Sequence, residues 1–253
     1  MISFIRPEAA ETFVEHWPSA FRALAGPLVY RTLTETETLW LIAQEPSLRH
    51  TIGMRDRPQM ELSLRKALIT LTSQVKMPLF ARISPCSFKE GALLPAPIVG
   101  ADGLLRQLQH PGHRAASMAL HCLRGGVPVS VIVRPWQMIR PWEEFRLFFL
   151  KGGLTAISQH HPGAQLPRHY KKRALAETLC AFAERLIAVS HLDTLTADVF
   201  ACADTNEVLL IEINPWSEET DPSLYDWHKA PPVDKMLRVR VRDRVLPIPL
   251  VRV

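Results

Sequence analysis

Ala197-Asp198-Val199-Phe200-Ala201 and Val208-Leu209-Leu210-Ile211-Glu212-Ile213-Asn214 are two mostly apolar runs on either side of the turn-forming residues Asp204-Thr205-Asn206. They read as a hairpin. Pairing about Thr205 sets Asp198 opposite Glu212, each seven residues from that centre. Side chains alternate along a strand, so Asn214 shares the face of Glu212. Two carboxylates and an amide oxygen then converge on one sheet surface. Like charges directly opposite each other destabilise a sheet unless a cation neutralises them. Hard oxygen donors of this kind suit Mg2+, which keeps several waters and shares its shell with phosphates. Asp198, Glu212 and Asn214 are therefore the candidate metal ligands.

Outward from the hairpin, the clearest helix is predicted over residues 171–189, with Leu175, Leu179, Phe182, Ala183, Leu186 and Ile187 on one face. Strands are predicted over 129–133, 145–150 and 154–158, the last two joined by a tight turn at Gly152-Gly153. Leu79-Phe80-Ala81-Arg82-Ile83-Ser84 reads as a strand entering a polar turn, and residues 61–74 as a helix carrying Leu64, Ala67, Leu68 and Leu71. Residues 12–24 suggest a short helix, a break at Pro18 and a second turn. Leu39-Trp40-Leu41-Ile42-Ala43 reads as a buried strand. Residues 91–113, rich in glycine and proline, read as a mobile loop around one short amphipathic segment. The tail Arg238-Val239-Arg240-Val241-Arg242 alternates and is expected at a sheet edge, its arginines discouraging further pairing. The expected class is α+β.

Hydrophobic residues make up 47% and charged residues 22% of the 253 positions, the balance of a globular protein rather than a disordered one. No apolar run is long enough to span a bilayer and no signal peptide is read, so a cytoplasmic protein is expected, with no membrane partner. The four cysteines lack CxxC spacing, and reduced structural thiols are expected. The formal charge of +5 favours an anionic ligand without choosing it. The aromatic residues are not interleaved with the basic ones, so nucleic acid is not an expected partner. Neither GxGxxG nor GxxxxGK[ST] occurs, which leaves a Rossmann site and a Walker loop without support.

Phosphates call for cations, and arginine supplies a bidentate fork. Arg82, Arg134 and Arg146 all fall on central strands. Arg146 lies between apolar neighbours, where an unpaired charge is costly, so it needs a partner: Glu144 on the same face, or a phosphate.

With these residues in view, the chain resembles the cell division cycle protein 123 family, whose fold is ATP-grasp. The resemblance rests on Leu79 through Glu90, Val133-Arg134-Pro135-Trp136, Arg140-Pro141 with Glu144-Phe145-Arg146, Leu154-Thr155-Ala156-Ile157-Ser158-Gln159, Asp198-Val199, Ile211-Glu212-Ile213-Asn214-Pro215-Trp216 and Glu218-Glu219-Thr220-Asp221 with Leu224 and Trp227, in that order. It implies an α+β ATP-grasp fold with the nucleotide held between an N-terminal lobe, residues 1–128, and a C-terminal antiparallel sheet lobe, residues 129–253. It implies that Arg82 and Arg146 contact the phosphates and that Ser87 and Lys89 belong to the loop covering them. Val133, Arg134 and Trp136 would line the adenine pocket, and Asp198, Glu212 and Asn214 would hold Mg2+. The implied ligands are ATP and Mg2+, and the implied function is ATP-dependent assembly of a protein partner. The alternative is a ligase that makes an acyl phosphate from a carboxylate substrate.

Two positions depart from the family pattern. Gln159-His160-His161 stands where the family has Gln-Arg-Asp, leaving Arg168, Lys171 or Lys172 to replace that arginine, and Ser217 replaces a glycine. His160, His161 and His169 are candidates for a transition metal or for acid–base work, but a loop of this composition favours solvated histidines, with His160 a second candidate for the phosphate region. Trp136, Trp142, Trp216 and Trp227 are expected to pack within the lobes.

Overall fold

The computed structural model describes residues 7–51, 57–88, 96–202, 205 and 207–250. In chain order it contains α1 (Pro7–Ala10), α2 (Ser19–Leu24), β1 (Val29–Thr32), α3 (Glu35–Ala43), α4 (Arg57–Thr72), β2 (Leu79–Ile83) and β3 (Cys86–Ser87). There follow α5 (Gly100–Gln109), α6 (Gly112–Arg124), β4 (Ser130–Pro135), β5 (Glu144–Leu150) and β6 (Gly153–Gln159). The last elements are α7 (Lys172–Val189), β7 (Leu195–Ala201), β8 (Val208–Asn214), β9 (Met236–Val241) and β10 (Arg244–Pro249). The chain divides into two compact units, residues 1–16 with 27–137, and residues 17–26 with 138–253.

The first unit holds a four-stranded antiparallel sheet in the order β1-β4-β2-β3. Its core gathers Leu64, Leu68 and Leu71 of α4, Leu104 and Leu108 of α5 and Ala115 and Ala119 of α6 with Leu79, Ala81, Val131 and Val133 of the sheet. Two expectations fail here. Leu39–Ala43 is the end of a helix, not a strand. Thr34 caps it: the Thr34 hydroxyl accepts from the Glu37 N–H at 3.2 Å, and the Glu37 carboxylate accepts from the Thr34 N–H at 2.8 Å. That capping box fixes the first turn, and the apolar run is helical because Trp40, Leu41, Ile42 and Ala43 are all buried, at most 1% exposed. Within the loop expected over residues 91–113, whose first five lie outside the described residues, 100–109 form α5 and 112–113 open α6, both helices with buried apolar faces. The glycines and prolines there bracket the helices, with Pro111 and Gly125 as the caps of α6.

The second unit holds a six-stranded sheet, β10-β9-β6-β5-β7-β8, antiparallel throughout except for the parallel pair β6 and β9. β5 and β6 are joined at Lys151-Gly152, both with positive φ, 52° and 72°. That is the sign pattern of the mirror-image turn that matches strand twist. α7 packs along β6, β8 and β10. The arginine-bearing tail strand is not an edge: β9 lies between β6 and β10. Its first arginine has a local use. Arg238 meets Asp234 at 2.7 Å and stacks 3.9 Å over the Tyr225 ring. The edge is β10, where Pro247 and Pro249 withhold N–H donors.

Candidate functional site

In the second unit the strand registers line up one polar row. Ser158 on β6 pairs with Arg146 on β5, Arg146 with Asp198 on β7, and Asp198 with Glu212 on β8. Directly paired residues share a sheet face. Glu144 and Asn214, each two residues away, extend the same face. The expected pairing of Asp198 with Glu212 is present, but by a route that counting from the turn does not reveal. Near the turn Ala201 pairs with Val208, a register that would set Ile211 opposite Asp198. The register shifts between Asp198 and Val199, placing one extra residue on β8 and bringing Glu212 opposite Asp198.

The cation beside these carboxylates is a side chain. Arg146 Nε and a terminal nitrogen donate to the two Asp198 oxygens at 2.7 Å each, and the other terminal nitrogen donates to the Asp221 carbonyl. The partner of Arg146 is thus Asp198, not Glu144. Both side chains are buried, at 5% and 1% exposure, so the pair is bidentate and dry. Burial works against the Arg146 charge, yet Asp198, with Glu212 and Asp221 behind it, raises its pKa above the ordinary value. Burial likewise pushes the Asp198 carboxyl up, against the pull of Arg146 and His160. The Asn214 amide nitrogen donates to Asp198 at 3.3 Å and to Glu212 at 3.1 Å. Turning that amide over would aim its oxygen at the same point. The donor set of two carboxylates and an amide oxygen fits Mg2+.

Of the histidines expected to be solvated, His169 is exposed and His161 partly so, whereas His160 is largely enclosed, and His160 and His161 both face Glu144. His161 Nε2 lies 2.9 Å from Glu144 Oε2, and His160 Nε2 lies 3.7 Å from Glu144 Oε1. The His160 Nδ1 lies 4.0 Å from Asp198. The role of Glu144 in this group was missed from the sequence, although its alternation with Arg146 on β5 placed it on the polar face. Farther along that sheet, Phe148 makes edge contacts with Trp216, Tyr225 and Trp227, with ring centroids 5.6–6.0 Å apart. Trp216 and Trp227 are packing residues, as expected.

In the first unit, Arg82 on β2 pairs with Ser87 on β3 and Ile132 on β4, while Phe80 pairs with Arg134. Alternation puts Arg82, Ser87 and Arg134 on one face. Arg82 is buried and donates to the carbonyls of Ile83 and Ser84 at 3.2 and 3.5 Å. Burial, with Arg82 beside it, draws the Arg134 pKa down to about 10. Val133 points into the core, and strands flank it on both sides, pairing with Val29 and Ala81. Past Val133 the β1 ladder ends, and the Trp136 N–H donates to the Pro78 carbonyl at 2.7 Å. Lys89 lies outside the described residues.

Among known proteins, a family model described as D123 matches residues 106–240, more than half of the chain. Cell division cycle protein 123 of Candida glabrata is 29% identical over 101 residues, 40% of this chain and 28% of that protein. The translation initiation factor eIF2 assembly protein of Aspergillus niger is 30% identical over 115 residues, 43% of this chain and 30% of that protein. The matched stretch is thus under a third of those relatives' length. The structure of Cdc123 from Schizosaccharomyces pombe superposes with a TM-score of 0.66 at 17% identity, covering 89% of this chain and 92% of that one. At that identity the likeness shows the fold alone: the chain shares the α+β architecture of that protein, the expected class.

Proposed function

The chain belongs to the D123 family, and we propose that it binds ATP with Mg2+ and assists the assembly of a protein partner, the second part supported by relatives whose names state eIF2 assembly. The observation that carries this reading is the convergence of Asp198, Glu212 and Asn214 on one sheet face. Mg2+, when bound, neutralises phosphate oxygens and fixes their orientation. The chain's own part is to hold the carboxylates in place, which the Arg146 fork does by locking Asp198 in one rotamer. In the first unit, Arg82 and Ser87 are the proposed phosphate contacts, with Lys89 beside them in sequence. A triphosphate would relieve the repulsion of Arg82 and Arg134. Arg134 and Trp136, where β4 has left β1, are the proposed base contacts, whereas the Val133 backbone is taken up by the ladders to Val29 and Ala81.

Calorimetric titration with ATP, in Mg2+ and then in EDTA, tests the reading. Binding should require Mg2+ and should weaken in Asp198→Asn and in Glu212→Gln. Affinity unchanged in both variants would show that the metal is misplaced. With pooled carboxylate and amine metabolites no ADP or AMP release is expected; metabolite-dependent release would sink the assembly role and favour a ligase.

A further inference from the structure

At the ends of β5 and β6, Glu144, His160 and His161 each present one ligand atom, and the three atoms lie within 4.8 Å of one another. The Glu144 carboxylate stands 2.9 Å from His161 Nε2 and 3.7 Å from His160 Nε2. Donors held at about 2.0–2.1 Å from a tetrahedral zinc ion stand about 3.3 Å apart, so the two separations straddle the value a metal would set. The backbone holds Glu144 against His160, whose N–H donates to the Glu144 carbonyl at 2.9 Å. The far nitrogen of His160 faces the Ser223 hydroxyl at 3.4 Å, with Asp198 at 4.0 Å. In the tautomer whose Nδ1–H donates to Ser223 or Asp198, Nε2 carries the lone pair, which is how an outer shell orients metal-binding histidines. His160 and Glu144 are 13% and 15% exposed, whereas His161 is 40% exposed and gives the group an open side.

We propose that Glu144, His160 and His161 form a binding site for a divalent transition cation of the Zn2+ class, with one coordination position open to solvent. Two imidazoles and a carboxylate are a ligand set that zinc accepts and that Mg2+ does not favour. The site is therefore chemically distinct from the all-oxygen set of Asp198, Glu212 and Asn214, and it does not rest on the nucleotide reading. A simple ion pair accounts for the His161 contact. It gives no reason for the His160 Nε2 to face the same carboxylate while its other nitrogen faces Ser223.

The test uses the intact chain, without added histidine tags, stripped with EDTA and titrated with Co2+ while the ligand-field absorption is followed. A single saturable Co2+ site with the intense absorption of four-coordination is expected, resistant to excess Mg2+ and displaced by Zn2+. His160→Gln and His161→Gln should each weaken binding by about tenfold or more, with unfolding in EDTA unchanged for the half-exposed His161. Absence of the absorption, or wild-type affinity in both variants, overturns the proposal. Binding lost in Glu212→Gln but kept in the histidine variants places the cation on the other ligand set and overturns it equally.

Discussion

Arg146 of β5 meets both Asp198 oxygens at 2.7 Å, whereas the pKa of Arg134 of β4 is depressed by burial and, after that, by another guanidinium, Arg82. Both arginines sit on sheets, and both are set among apolar residues. In the second unit positive and negative side chains are matched within the row, so Arg146 is part of what holds that row together. In the first unit the sheet gathers like charges on one face, an arrangement that an anion would relieve. The same residue type thus serves cohesion in one sheet and, on the proposed reading, reception of a ligand in the other.

The largest effect that would separate the two is on stability. Arg146→Met leaves Asp198 buried without its guanidinium and is expected to cost about 3–5 kcal/mol in urea unfolding. Arg134→Met removes one of two like charges and should change stability by no more than about 1 kcal/mol. Equal losses in both variants would erase the distinction. The next effect is on binding. Arg134→Met should weaken ATP binding by about tenfold to a hundredfold, the value of a charge-assisted hydrogen bond, read by calorimetry at fixed Mg2+. Unaltered affinity would remove Arg134 from the nucleotide contacts and leave its depressed pKa without a purpose.

Much of this contrast was legible in the sequence, and the failures have identifiable physical causes. The hairpin pairing of Asp198 with Glu212 and the long helix at 172–189 follow from alternation and periodicity. The extra residue near Ile211 carries no glycine or proline signal, so the count from Thr205 reached the right pair without the reason for it. Leu39–Ala43 misled because a short, wholly apolar run has no period; the Thr34–Glu37 capping box was the available clue. The loop expected over 91–113 misled because glycine and proline mark helix ends as well as loops. The partner of Arg146 was missed because it comes from a strand 52 residues away, a distance that only the sheet register closes. The histidine pair looked like surface for the same reason: Glu144 is 17 residues from His161 in sequence and 2.9 Å away in space.

The smallest expected effect is the most discriminating about the carboxylate row itself. Glu212 faces Asp198 directly, and opposed like charges on neighbouring strands cost a few tenths of a kcal/mol to about 1 kcal/mol. Arg146 offsets part of this from the far side of Asp198, its charge also reaching Glu212. Glu212→Gln keeps the shape and the hydrogen-bonding reach while removing that charge, so in EDTA it should raise stability by about 0.2–1 kcal/mol. With Mg2+ and ATP present the order should reverse, because the wild-type row gains a cation that the variant holds poorly. Parallel thermal melts under the two conditions read both signs. A variant less stable than wild type in EDTA would show that Glu212 is itself compensated within the fold, and the second unit would then be neutralised throughout, with no charge left to recruit a metal.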